Sequence, residues 1–300
     1  MMIIDRPAFA LPETIEEAIE GRERRPDAAY VAGGTELMPE LLWRTTAPAG
    51  LISLRRVAQL RGVSELRGGS DDAPGVLRIG ATTPVAALLD AVAASAPGLA
   101  RAAANLGTPL VRAEATIGGN VVSAQPYRNL LPVLLALGAD LELRSLTGTR
   151  LMPFDGFCTA PGRCAINPGE LLTAVLVPVL PGAQDYVKVG PRNAQFVATA
   201  SAAIVVDRLA RSVRFGFGNA AATPITVPEA ERVAAEAIDW SGGGSPDPDA
   251  VAEVGELVRR GVDPPEDHVA SAAYRRQALG VLAARLLARG VAALEGGRHE

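Results

Sequence analysis

Cysteine and histidine are nearly missing from this 300-residue chain, with Cys158, Cys164, His268 and His299 the full complement. Two cysteines cannot build a disulfide framework or hold an iron–sulfur cluster, and two histidines leave little from which to make a zinc site. No Ser-His-Asp pattern or metal-hydrolase motif stands out either, so any catalysis here calls on an organic cofactor. Charge of one sign is also lacking: the formal net charge is −4 and no basic block occurs. Nucleic acid is therefore excluded as an expected partner. No apolar run approaches the roughly 20 residues that span a bilayer, which excludes a membrane role of that kind. The opening MMIIDRPAFALPETIEEAIEG has no basic stretch followed by an apolar segment and a small-residue cleavage site, so the expected location is the cytoplasm.

What the chain does have is apolar residues, at 48% of its length, enough to bury a sizeable core. Thr14 and Glu17 make a capping box that starts a helix carrying Ile15, Ala18 and Ile19 on one stripe, with Gly21 expected to end it. Strands are predicted at Ala28–Ala32, in LISL at 51–54 and in VLRIGA at 76–81, with a polar loop, GGSDDAPG, at 68–75. The run LLPVLLALGA predicts a buried helix ended by Gly138, followed by the strand ADLELRS and, after a turn, the strand LLTAVLVPV. PGA at 181–183 reads as a boundary. Beyond it, DYVKVG, FVATASAAIVVD and SVRFGFGN predict consecutive strands, SGGGSPDPD at 241–249 a connector, and ASAAYRRQALGVLAARLLARG a long amphipathic helix. Strands grouped before helices, without strict alternation, point to an α+β fold.

Two short stretches share a design: VAGGTEL at 31–37 and ATIGGNV at 115–121. Each sets two glycines at a turn beside a small hydroxyl or amide residue. Glycine accepts positive φ and lacks a Cβ, so successive N–H groups can converge on one point, a nest suited to phosphate oxygens. A following helix would add its dipole, and the Thr35 and Thr116 hydroxyls and the Asn120 amide could add donors. Neither stretch has the spacing of the Rossmann or P-loop glycines. A tight turn and an anionic-ligand loop both fit the residues taken alone.

In order along nearly the whole chain, these stretches resemble the flavin-binding medium subunit of the molybdenum hydroxylases, the xanthine dehydrogenase and carbon monoxide dehydrogenase family. Ala32-Gly33-Gly34-Thr35-Glu36-Leu37 resembles that family's A-G-G-T-[DN]-L signature, and Arg112 through Asn120 resembles R-x-x-A-T-[IL]-G-G-N. LRIGATTPVAAL, LLPVLLALGADLEL, the segment from LMPFDGF to LLTAVLVP, YVKVGPRNAQFVATASAAIVVD and the closing YRRQALGVLAARLL continue the match. The resemblance implies a two-subdomain PCMH-type FAD-binding domain over 1–180 (subdomains about 1–60 and 61–180). A smaller C-terminal domain over 184–300 would follow, with a three-stranded antiparallel sheet and helices.

By the same resemblance FAD is the cofactor. Ala32, Gly33, Gly34, Thr35, Glu36 and Leu37 would cradle its pyrophosphate, and Thr116, Ile117, Gly118, Gly119 and Asn120 would line its other side. Leu171 in the PGELL stretch and Asn129 are carried over as further contacts. Lys188 and Arg192 match basic positions near the flavin ring, where a cation would stabilise the reduced, anionic form; a solvated strand residue is the plain alternative for Lys188. Arg112 either pairs with a phosphate or anchors its loop. No catalytic residue is assigned and no metal site is expected.

Two departures from the pattern matter. Glu36 stands where the family usually has Asp or Asn, moving a carboxylate by about one methylene near the pyrophosphate loop; pointing away to cap the next helix would make it harmless. In SAQPYRNLLPV, Asn129 replaces a usual aspartate and removes a charge, and Tyr127 and Arg128 are bulkier than usual. The function implied is an electron-transfer subunit that passes electrons from the iron–sulfur clusters of a small subunit through FAD to NAD+ or another acceptor. A molybdenum-cofactor large subunit would be the other partner, and an exposed apolar docking face is expected. A standalone FAD-dependent oxidoreductase acting on a small molecule, and a binding subunit that has lost FAD, are the other readings.

Overall fold

The computed structural model describes residues 8–66, 75–192, 196–241 and 246–296. The first unit comprises β1 (Ala8–Ala10), α1 (Ile15–Arg24), β2 (Ala28–Val31), α2 (Leu37–Leu42) and β3 (Gly50–Ser53). Its strands form a parallel sheet in the order β1-β3-β2. The Thr14 hydroxyl accepts the Glu17 amide at 3.1 Å, as the capping box requires, while Glu17 reaches back to the Glu13 amide at 2.8 Å. Ile15, Ala18 and Ile19 are buried against Ile52, Leu54 and Leu60. Gly21 does not end α1, which runs on to Arg24. A glycine inside a helix costs about 1 kcal/mol against alanine but cannot stop one held by a buried stripe.

A second unit follows, with β4 (Val63–Leu66), β5 (Val76–Gly80), α3 (Val85–Ala91), α4 (Pro97–Ala104), α5 (Pro109–Glu114), α6 (Ile117–Val122) and α7 (Leu130–Leu137). It is completed by β6 (Asp140–Ser145), β7 (Gly148–Pro153), the short ribbon β8 (Cys158–Ala160) with β9 (Arg163–Cys164), and β10 (Leu171–Pro178). The antiparallel sheet runs β4-β5-β10-β6-β7. All of the loop expected at 68–75 except Gly75 lies outside the described residues. Every residue of α7 is buried, and Gly138 ends that helix at φ 66°, a left-handed conformation that suits glycine.

The third unit is the antiparallel sheet β11 (Gly182–Val189), β12 (Ala200–Asp207) and β13 (Ser212–Gly218), covered by α8 (Pro228–Glu236), α9 (Pro248–Gly261) and α10 (Ala272–Gly296). Gly182 and Ala183 already pair with Asp207 and Val206, so the PGA stretch leads directly into β11. Of the connector expected at 241–249, residues 242–245 lie outside the described residues and α9 has begun by Pro248. Helix α7 packs between this sheet and the second unit; a side chain at Gly216 would overlap the Pro132 carbonyl, so the close approach demands glycine there. The buried Asp185 of β11 ties the units together by accepting from Arg101 of α4, at 2.5 Å, and from Arg289 of α10. Among the described residues no helix is long and apolar enough to cross a membrane.

Candidate cofactor site

A cavity of about 410 Å³ opens where the chain leaves the C-terminal end of β2. Crevices outside the carboxyl ends of parallel strands are common ligand sites, because the backbone there turns away and leaves amides unpaired. One wall is the loop Ala32–Leu37, all of whose residues line the cavity. Gly34 turns it with φ +70°. A Cβ on Gly33 would sit 2.6 Å from the carbonyl carbon of Glu114, at the end of α5, and closer still to its oxygen. The amides of Gly33, Gly34 and Thr35 take no hydrogen-bond partner among the described residues. They form a cradle of donors that no side chain fills.

The facing wall is α6. Thr116 caps it, its hydroxyl accepting the Gly119 amide at 3.1 Å. Thr116, Gly119, Asn120 and Ser123, spaced as one helical face, all line the cavity. This corrects the expectation of a second glycine nest. The Ile117 amide donates to Thr83 and the Gly118 amide to Ala81, and neither glycine of this pair has positive φ. Ile117 is fully buried in the core, and a Cβ on Gly118 would lie 2.6 Å from the Ala81 oxygen. Both residues face away from the cavity, and Gly118 is needed for helix packing instead of ligand approach. The Oδ1 of Asn120 is buried with no partner, an acceptor left over on the cavity side.

Asn129 lines the third side. Its Nδ2 donates to the Asn105 carbonyl at 2.7 Å, a bond an aspartate could not make. The Lys188 ammonium donates to the same carbonyl at 2.5 Å and to that of Phe196 at 2.9 Å; burial pushes its pKa below the usual lysine range. Lys188 is thus a tie between β11 and two loops, not a solvated strand residue, and it does not itself line the cavity. Arg192 lies with its guanidinium 4.2 Å from the Phe196 ring centroid. Together the two cations hold Phe196, which with Val197 walls the cavity from the third unit. Arg112 anchors its loop, donating to the carbonyls of Leu106 and Gly107 at 3.1 and 2.9 Å. Leu171 is buried in the core of the first unit, away from the cavity.

Sequence reasoning missed several lining residues: Tyr30, Leu106, Gly107, Val111, Ser123, Phe196 and Arg128. Gly107, at φ +47°, was legible as another turn glycine. Glu36 does not cap α2; its carboxylate takes both terminal nitrogens of Arg128 at 2.7 Å each.

Comparison with known proteins shows the family and the fold. Residues 6–180 match the family described as the FAD binding domain in molybdopterin dehydrogenase, and residues 185–289 match the CO dehydrogenase flavoprotein C-terminal domain. The chain is 29% identical to the glyceraldehyde dehydrogenase medium chain of Sulfolobus acidocaldarius, covering 92% of this chain and 95% of that protein. It is 30% identical to the carbon monoxide dehydrogenase medium chain of Afipia carboxidovorans, over 93% of this chain and 94% of the relative. A solved Cu,Mo-CO dehydrogenase, in its cyanide-inactivated form, contains a chain that superposes with a TM-score of 0.85 at 29% identity. That match covers 97% of this chain and 99% of that one.

Proposed function

This chain belongs to the family of FAD-binding medium subunits of molybdenum hydroxylase-type dehydrogenases, and from that premise we propose that it is the flavin-bearing electron carrier of a multi-chain enzyme. Electrons reach it from iron–sulfur clusters on one partner chain, after substrate oxidation at a molybdenum cofactor on another, and leave for NAD+ or a different acceptor. The two cysteines among these 300 residues cannot hold the clusters themselves.

The observation that carries the reading is the pairing of unlike walls in one cavity. Unpartnered amides at Gly33, Gly34 and Thr35 suit the diphosphate of FAD, and the orphaned Oδ1 of Asn120 suits an N–H or hydroxyl donor of the same molecule. Thr35, Thr116 and Gly119 add small surfaces that let a ligand approach closely. Asn129 and Lys188 hold the Asn105 turn, and Phe196 and Val197 present an apolar wall that keeps water from one side. When bound, FAD supplies the exchange between single electrons from clusters and the pairs that NAD+ takes.

Purification of the tagged chain from its native cells tests the proposal. The expected result is co-elution of two further chains, one rich in iron and one holding molybdenum, with flavin that NADH or substrate reduces in the absence of oxygen. A flavoprotein that elutes alone and turns over a small molecule unaided would replace this reading with a standalone oxidoreductase.

A further inference from the structure

Glu36 and Arg128 stand 92 residues apart in sequence, and both line the cavity. Arg128 is engaged at every nitrogen. Its two Nη atoms meet the two Glu36 oxygens at 2.7 Å each, its Nε donates to the Ser123 hydroxyl at 2.9 Å, and its guanidinium lies 5.1 Å from the Tyr127 ring centroid. The Arg128 side chain is 15% exposed, against 50% for Glu36. A forked pair of this kind fixes both partners in direction as well as in charge.

The carboxylate it fixes follows directly on the Gly33-Gly34-Thr35 amides. Left alone, a negative charge there would oppose an anion seated on those amides, and the longer glutamate arm would let it swing towards them. We propose that Arg128 is a positioning residue for the cofactor's diphosphate end: it neutralises Glu36 and fixes its carboxylate, so that the charge does not oppose an anion seated on those amides. The inference rests on the flavin reading and extends it to residues that touch no reacting atom.

The test is a titration of the full-length chain, stripped of flavin, with FAD, followed by quenching of flavin fluorescence, on wild type, Arg128→Met, Glu36→Gln and the double variant. Free carboxylate beside the anion should weaken binding in Arg128→Met by about tenfold or more. Glu36→Gln and the double variant should stay within about threefold of wild type, the range of an exposed ion pair. A double variant as weak as Arg128→Met would overturn the proposal, because Arg128 would then be a direct ligand or a bolt for the wall. Arg128→Lys, which keeps the charge, should hold FAD within about fivefold of wild type; a loss of about tenfold or more in a folded lysine variant also overturns it. Unfolding temperatures of all variants show which of them fold, and the lysine comparison stands if methionine does not. Wild-type chain that takes up no FAD would instead refute the flavin reading itself.

Discussion

Replacing Gly33 by alanine strikes the cavity at its tightest point. The new Cβ would lie 2.6 Å from the carbonyl carbon of Glu114 and 3.2 Å from the Ala115 nitrogen. Carbon atoms at rest keep about 3.5–4.0 Å apart, so the loop or the end of α5 must yield by about 1 Å. Both neighbours are backbone, and neither can swing aside as a side-chain tip would. Overpacking of this kind costs about 1–3 kcal/mol. For a unit of this size that is a fall in Tm of about 2–4 °C per kcal/mol. The larger effect should fall on the cofactor, because the strain is relieved by moving the amides proposed to hold the diphosphate. Gly21→Ala is the matched control: its Cβ would meet Ile52 at an ordinary 3.6 Å, inside α1. There alanine should raise stability by about 0.5–1 kcal/mol through helix propensity. Differential scanning calorimetry and bound FAD per chain read both variants. Gly33→Ala with wild-type Tm and full flavin would refute the reasoning, as would Gly21→Ala behaving like it.

Asn129→Asp removes the donor to the Asn105 carbonyl and sets a carboxylate near Lys188, which bonds the same carbonyl. The fold should survive a loss of about 1–3 kcal/mol, while spectroelectrochemistry should show a displaced flavin potential; unchanged Tm and potential would make the substitution neutral. Glu170, held by Arg150 at 2.6 and 2.8 Å, has its pKa drawn from the ordinary 4.5 down to about 2. A carboxyl depressed in the fold stabilises above its ordinary value and loses that contribution as pH falls. The advantage of wild type over Glu170→Gln in urea unfolding should therefore be full above pH 4.5 and disappear by about pH 2; a gap independent of pH would contradict this. Burial pushes the Cys158 thiol up to about 12, with Cys164 adjacent on β9 also raised. Iodoacetamide at pH 8 should modify Cys158 at least about a hundredfold more slowly than a free thiol, and Cys164 more slowly than a free thiol as well, since the thiolate is the nucleophile.

Much of the architecture was legible where local chemistry and burial agree. The Thr14 cap, the wholly apolar α7 with Gly138 behind it, and the alternation in β6 each follow from pattern alone. The AGGTEL and ATIGGN stretches were visible as a related pair, and the structure brings their ends to one cavity. What could not be read was the role of the second pair. Two glycines weaken a helix, yet the Thr116 cap and close packing on Ala81 override that weakness and form α6. Its helical period then sends Ile117 and Gly118 to the core and Gly119 and Asn120 to the cavity. Read with a period of 3.6, the stretch from Thr116 to Ser123 would have divided those faces. The ion pair between Glu36 and Arg128 had no local signal at all, since it depends on tertiary folding across the cavity. β1 and the β8–β9 ribbon are too short to show any period.

The central claim is that this chain holds FAD between the Ala32–Leu37 loop and the exposed face of α6. Its most direct measurement is the flavin stoichiometry of the purified chain, after incubation with excess FAD and gel filtration, on wild type beside Gly33→Ala. The account predicts a yellow protein with one FAD per chain and a marked loss of flavin in the variant. Colourless wild-type protein that takes up no FAD, or equal flavin in both, would contradict it.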